Sequence, residues 1–208
     1  MTKTFKFLVL LILFSNQLFS QQFLSTSGKS IINQNGDTII LRGMGLGGWM
    51  VQEGYMMAPG GFSSTQYQIK DKIRELIGQE ETKKFYDNWL KNHVTKSDID
   101  SMKSWGFNLV RAPIHYNLFT LPIEEEPFPG SYTELDIGFK LLDSLLSWCK
   151  ENEIYLMIDL HAAPGGQGYN ADISDYDPTK PSLWESELNQ NKTVELWKKL
   201  SQRYKNEK

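Results

Sequence analysis

The stretch Y-L-M-I-D-L-H-A-A-P-G-G-Q, residues 155–167, decides how this chain folds. A short aliphatic run ends in Asp159 and His161 and then breaks into Pro164, Gly165 and Gly166. That reads as a buried strand delivering polar groups into a turn. The run F-N-L-V-R-A-P-I-H-Y, residues 107–116, is built the same way and delivers Arg111 and His115. Each is followed by a loop and a helical pattern, so the chain reads as repeated βα units around a parallel sheet. In a (β/α) barrel and in a doubly wound sheet alike, function gathers at the C-terminal ends of the strands. Side-chain alternation puts Tyr155, Met157, Asp159 and His161 on one strand face, and Phe107, Leu109 and Arg111 on another. If those faces point into a barrel, Arg111, Asp159 and His161 lie at its mouth. A buried Arg111 requires a partner, which Asp159 or a carboxylate on a later strand supplies. Pro113 disturbs the strand before His115 and leaves the direction of that side chain open.

The chain has 208 residues, 40% of them hydrophobic and 12% aromatic, with a formal charge of −3. That is one globular domain with material for a core and no basic excess of the kind that binds nucleic acid. Residues 1–20 stand apart. Lys3 and Lys6 precede the apolar run Phe7 to Phe14, and Ser20 follows, the three regions of a secretory signal peptide. The apolar run is well short of the ~20 residues that span a bilayer, so the expectation is cleavage near Ser20. The mature chain would then be secreted or periplasmic, with no membrane attachment. Cys149 is the only cysteine; it cannot form an internal disulfide and reads as buried packing.

Ahead of the two strands, Asn35-Gly36 lies between the β-rich runs 30–33 and 37–42, a hairpin signal whose second arm leads into G-M-G-L-G-G-W, residues 43–49. Gly43, Gly45 and Gly48 fit G-x-G-x-x-G literally. A dinucleotide-binding turn needs a helix opening inside the glycines, and the residues after Trp49 lack a helical period. Helices are expected over 66–77, ending at Gly78, over 80–91, and from a Thr95 or Ser97 cap to Gly106, the last with Ile99, Met102 and Trp105 on one side. Residues 136–152 form the clearest helix, with Ile137, Leu141, Leu145, Trp148 and Cys149 as its apolar stripe. The run Glu124-Glu125-Glu126 reads as a solvated loop. Asp172, Asp175 and Asp177 lie in a polar loop whose spacing misses the EF-hand pattern. Pro181 opens a last helix with the stripe Val194, Trp197, Leu200 and Tyr204.

The three histidines offer neither H-x-H nor H-E-x-x-H spacing, so a metal site does not assemble from close neighbours. Aromatic side chains crowd the loops: Trp49, Tyr55, Phe62, Tyr116, Phe119 and Tyr169. Rings beside Arg, His and carboxylates suit a carbohydrate, whose C–H faces stack while its hydroxyls need fixed partners.

G-M-G-L-G-G-W-M-V-Q-E-G-Y (43–55), N-L-V-R-A-P-I-H-Y (108–116) and D-L-H-A-A-P-G-G-Q (159–167) together resemble glycoside hydrolase family 5, especially its exo-β-1,3-glucanase-like members. The resemblance implies a (β/α)8 TIM barrel that hydrolyses β-glucosidic bonds of a β-glucan with retention and calls for no cofactor. It implies that Arg111 holds the nucleophile's carboxylate, that His161 contacts sugar or the catalytic groups, and that Glu53 binds sugar hydroxyls. Trp49 and Tyr116 complete the expected substrate-binding set. The family's acid/base follows an Asn at the end of strand four, and its nucleophile ends strand seven. Asn206-Glu207 follows a helical stripe with no strand before it, so both catalytic glutamates are expected beyond Lys208. The expectation is a partial barrel, about its first three βα units preceded by a β-hairpin, with residues 21–208 the N-terminal part of the catalytic domain. A non-catalytic carbohydrate-binding fragment is the alternative, and an NAD-dependent enzyme using the Gly43 to Gly48 loop is a third.

Overall fold

The computed structural model describes residues 23–57, 61, 63–169 and 171–207. Residues 1–20, expected to form a signal peptide, and Phe62 lie outside the described residues. In chain order the elements are β1 (Ser25–Ser27), β2 (Ser30–Ile32), β3 (Gly43–Gly45), α1 (Gly54–Met57), α2 (Gln66–Asn92), α3 (Lys96–Ser104), β4 (Leu109–His115), α4 (Asp136–Glu151), β5 (Tyr155–Ala162), α5 (Ala171–Ser174) and α6 (Glu187–Tyr204). A 3-10 turn, Tyr116–Leu118, follows β4. Strands β3, β4 and β5 form one parallel sheet in that order.

One face of this sheet is the core. Val110, Ala112 and Ile114 of β4 are fully buried against Ile99 and Met102 of α3, Leu142, Leu145 and Cys149 of α4, and Leu196 and Leu200 of α6, with Leu156, Ile158 and Leu160 of β5 packed alongside. The other face carries Leu109, Arg111, Met157 and Asp159, and Met157 is 45% exposed. The period-2 reading of both strands therefore holds, since the apolar residues that alternate with Arg111 and Asp159 are the ones under the helices. Burial pushes the Cys149 thiol up to about 12.

The ends of the elements follow their local chemistry. Gly78 (φ +79°) breaks α2 between its two expected halves, and the Thr65 hydroxyl accepts the Gln68 N–H at its start. Asp98 caps α3 by accepting from the N–H and hydroxyl of Thr95, at 2.7 and 2.8 Å. Gly106, at φ +87°, turns the chain from α3 toward β4.

Several expectations are corrected. The regular ribbon is β1 with β2; the Asn35-Gly36 turn is present but is closed by a single bridge, Ile32 to Thr38. There the Asn33 side chain takes the N–H groups of Asn35 and Asp37, both at 2.9 Å. Trp105 is 68% exposed, because it is the C-cap of α3 rather than part of its apolar stripe. Ile137 faces outward because Gly138 meets Phe119, where a Cβ would lie 2.6 Å from the ring. Pro181 does not open a helix: Leu183 N–H bonds Gly166 O and the Trp184 indole bonds Gln167 O, and α6 starts after the Ser186 cap.

In α6 the buried positions are Asn189, Lys192, Leu196 and Leu200, while Val194 and Trp197 are exposed. The reason is an ion pair. Lys192 enters the interior and meets Glu126, with side chains 3% and 2% exposed. Glu126 therefore does not belong to a solvated acidic run; only Glu124 and Glu125 are exposed. Asn206-Glu207 follows α6 as expected, and the Glu207 carboxylate pairs with Lys150.

Candidate functional site

At the C-terminal end of β5, the turn after His161 is built from the quoted sequence itself. Gly165 and Gly166 take φ of +77° and +75°, and a Cβ on Gly165 would stand 2.3 Å from Asn189 Nδ2. Only glycine fits that approach. The Gln167 side chain then folds back, accepting from Ala163 N–H at 3.0 Å and donating to His161 O at 2.6 Å. It thus satisfies a strand end that has no further ladder partner.

Between the pairs Ile114–Leu160 and His115–Ala162, β5 carries one more residue than β4, so His161 is the unpaired residue of a bulge. Bulges beside functional sites re-aim a side chain. Here the imidazole meets three groups. Its Nδ1 lies 3.0 Å from Asp159 Oδ2 and 3.1 Å from Arg111 Nη2, and its Nε2 lies 3.5 Å from Glu53 Oε2. Arg111 also pairs directly with Asp159. A single ring nitrogen cannot both donate to Asp159 and accept from Arg111, so the position of the imidazole proton selects between those contacts.

Glu53 arrives from the segment after β3. Its side chain is 4% exposed. The next residue, Gly54, donates to Ser64 O at 3.0 Å, and a Cβ there would lie 2.1 Å from that oxygen. The tight passage locks the carboxylate against His161. Beside it, the charge of Glu53 raises the Tyr55 hydroxyl above its ordinary value.

Not every expected residue joins this cluster. Trp49 is 2% exposed in the core, its indole donating to Leu90 O at 2.8 Å, and it lines a separate cavity rather than joining the Glu53 cluster. Phe119 is likewise buried. His115 is buried away from the Arg111 contacts: its Nδ1 accepts the Asn117 N–H at 3.1 Å, so Nε2 carries the proton and donates to Asp175 Oδ2 at 2.9 Å. The Tyr116 ring lies against it, with centroids 5.0 Å apart, and burial raises the Tyr116 hydroxyl. His115, Tyr116 and Asp175 line a polar cavity of about 520 Å³ next to the cluster.

Sequence reasoning passed over Asp175 as a hydrated loop residue. It also accepts from Tyr67 N–H at 2.9 Å, joining the start of α2 to the end of β4. Its backbone, at φ +52°, is unusual for a non-glycine residue, and no periodic signal marks it. Among the described residues, no three His, Cys, Asp or Glu side chains converge as a metal site requires. The glycines 43–48 form β3 and a turn, Gly48 at φ +78°, without a helix opening among them.

Residues 63–208 match the family model described as Cellulase (glycosyl hydrolase family 5). The chain belongs to glycosyl hydrolase family 5. A protein described as beta-xylosidase, from Phanerodontia chrysosporium, is 35% identical over 88% of this chain and 36% of its own length. The Saccharomyces cerevisiae protein described as glucan 1,3-beta-glucosidase 2 is 30% identical over 82% of this chain and 34% of its own. The chain thus spans about a third of the length of these curated relatives. A crystal structure of rutinosidase from Aspergillus niger superposes with a TM-score of 0.59 at 18% identity, over 79% of this chain and 44% of that one. That likeness concerns the fold alone. The family and its structural neighbours imply a TIM-barrel fold, and this family 5 chain supplies a parallel sheet with α3, α4 and α6 packed on one face.

What the cluster can do chemically follows from its parts. Glu53 accepts hydrogen bonds, Arg111 donates them in a planar fork, and His161 does either, a combination suited to fixing sugar hydroxyls. Glu53 and Asp159 touch opposite nitrogens of one imidazole. A retaining pair holds the scissile bond between two carboxyl groups ~5 Å apart; in this family 5 site the His161 ring occupies the space between Glu53 and Asp159.

Proposed function

We propose that this chain forms the first three βα units of a retaining β-glucan hydrolase, a partial (β/α)8 barrel contributing sugar-binding side chains. In this reading Glu53, Arg111 and His161 bind substrate, Tyr116 lines the adjoining cavity, and the acid/base and nucleophile belong to later βα units beyond Lys208. One observation carries it. A buried Glu53 carboxylate is held against His161 beside the Arg111–Asp159 pair, at the C-terminal ends of parallel strands. Relatives named for 1,3-β-glucoside and β-xyloside hydrolysis support a β-linked glycan as the substrate class. We further propose export of residues 21–208 after cleavage of residues 1–20, to the periplasm or outside the cell. Among the described residues no helix is long and apolar enough to cross a membrane.

The test is to incubate residues 21–208 with laminarin, carboxymethyl-cellulose and xylo-oligosaccharides, measuring both binding and new reducing ends. Binding that falls on changing Glu53→Ala, without release of reducing ends, is the expected result. Hydrolysis by this segment, abolished by changing Glu53 or Asp159, overturns the placement of the catalytic pair. A second reading is a carbohydrate-binding surface with no hydrolytic role; the imidazole between Glu53 and Asp159 keeps these two carboxylates from acting as a retaining pair in either reading. The second reading predicts binding with no turnover even when later βα units are present.

A further inference from the structure

A second cavity of about 240 Å³ opens between the segment after β3, α2, the turn after β4 and the start of α4. Gln52 belongs to its wall and is only 3% exposed. The Gln52 Oε1 accepts the Tyr86 hydroxyl at 2.8 Å, but its Nε2 has no partner among the described residues. Turning the amide over merely exchanges the two atoms, so one polar atom of a buried side chain is left unsatisfied either way. Buried polar atoms are nearly always paired, and one in a cavity wall points to something that fills the cavity.

The rest of the lining says what fits. Tyr86, Trp89 and Leu118 offer ring and aliphatic surface, while Gln52, Gln66 and Gln79 offer neutral amides. The Gln66 amide is fixed in place, its Oε1 accepting Gln52 N–H at 2.7 Å. Lys83 is neutralised by Asp87 at 2.6 Å, and Lys70 stands over the Tyr86 ring. Rings plus uncharged amides match a neutral polyhydroxylated ring better than an anion or an extended apolar chain. The volume is below that of most drug-sized pockets, which limits the occupant to about one ring. Gln66, Lys70 and Asn117 line this cavity and the larger one at the strand ends, so the two share a wall.

We propose that this cavity is a second, non-catalytic binding position for a single neutral glycosyl unit, with Gln52 as its buried hydrogen-bond donor and the Trp89 indole, itself stacked on His93 with ring centroids 4.5 Å apart, as part of its wall. The choice of a glycosyl ligand rests on the proposed function, and the position would retain a glycan strand outside the barrel. The test is a laminaribiose titration of the protein, expressed from its own reading frame, followed at two reporters by NMR. These are the Trp89 indole, assigned with Trp89→Phe, and the His161 imidazole. The expected result is a saturable Trp89 shift that persists in Glu53→Gln. It weakens about tenfold in Gln52→Met, the loss of roughly one neutral hydrogen bond, and disappears in Gln79→Trp, which plugs the cavity from an exposed helix position. A Trp89 signal that stays still at tens of millimolar laminaribiose, or moves equally in both cavity variants, overturns the proposal. Failure of the His161 signal to respond would count against the proposed function instead.

Discussion

The Nε2 of His161 stands 3.5 Å from Oε2 of Glu53, joining a strand-end bulge on β5 to a loop more than a hundred residues earlier in the chain. This contact places the third strand's imidazole and the first strand's carboxylate on one surface. Because Glu53 is almost wholly enclosed, its orientation does not depend on a ligand being present.

Replacing Glu53 by Gln keeps the shape but removes the charge from that contact. Glycan binding should weaken about 10- to 100-fold, the range for a hydrogen bond to a charged group. Isothermal titration with laminari-oligosaccharides measures this, and unchanged affinity would remove Glu53 from the site.

Arg111→Lys separates function from stability. The Arg111 and Asp159 side chains are 41% and 29% exposed, so their pairing contributes less than about 1 kcal/mol and Tm should hardly move. A lysine is a single point donor and cannot hold Asp159 and the His161 Nδ1 together. Affinity should fall while the melt stays in place; a fall in both together would assign Arg111 a structural role.

Glu126 and Lys192 give the fold an acid limit. Burial by itself would raise the Glu126 carboxyl, but the Lys192 ammonium and the N–H and hydroxyl of Thr133 outweigh it and hold the group at about 2, well below its ordinary 4.5. A depressed carboxylate stabilises the fold above its unfolded value, and that stability drains away as pH falls through the folded value. About 3 kcal/mol should be lost between pH 4.5 and 2. Glu126→Gln should flatten this part of a urea-denaturation profile against pH.

Asp175 holds two loops through Tyr67 N–H and the His115 Nε2–H. In Asp175→Ala both donors lose their partner, and hydrogen exchange at Tyr67 should accelerate about 10- to 100-fold. Unchanged protection there would mean that other contacts hold the α2 start.

Residues 21–208 by themselves leave Met157 and the open side of β5 without a covering strand among the described residues. This segment should bind ANS and melt over a broad range. A sharp, cooperative melt with good solubility would contradict a barrel interrupted there.

Reading the chain gave the parallel order of its strands, because Leu109 to His115 and Tyr155 to Ala162 each alternate apolar residues with one polar row. Arg111 and His161 stood out as polar residues at strand ends, whereas Glu53 was marked only by the resemblance of residues 43–55; the structure brings the three side chains together. Trp49 was expected beside Glu53 and instead packs in the core with its indole on Leu90 O, because an aromatic residue beside glycines looks the same in sequence whether its ring faces solvent or the interior. In α4 and α6 the expected Leu145, Cys149 and Leu200 are buried, while Ile137, Val194 and Trp197 turn outward, because Gly138 and Lys192 take partners, Phe119 and Glu126, that lie far away in sequence.

Local sequence marked most elements of this protein: periodicity, caps and glycine turns act within a few residues, and Y-L-M-I-D-L-H-A-A-P-G-G-Q carries within itself the break that follows β5. Tertiary structure alone decided that His161 bulges toward Glu53, that Asp175 clamps His115, and that Lys192 is buried on Glu126. Each of these is a charge or hydrogen bond satisfied across a long stretch of chain, and its cost or gain exists only once packing has excluded water from both partners.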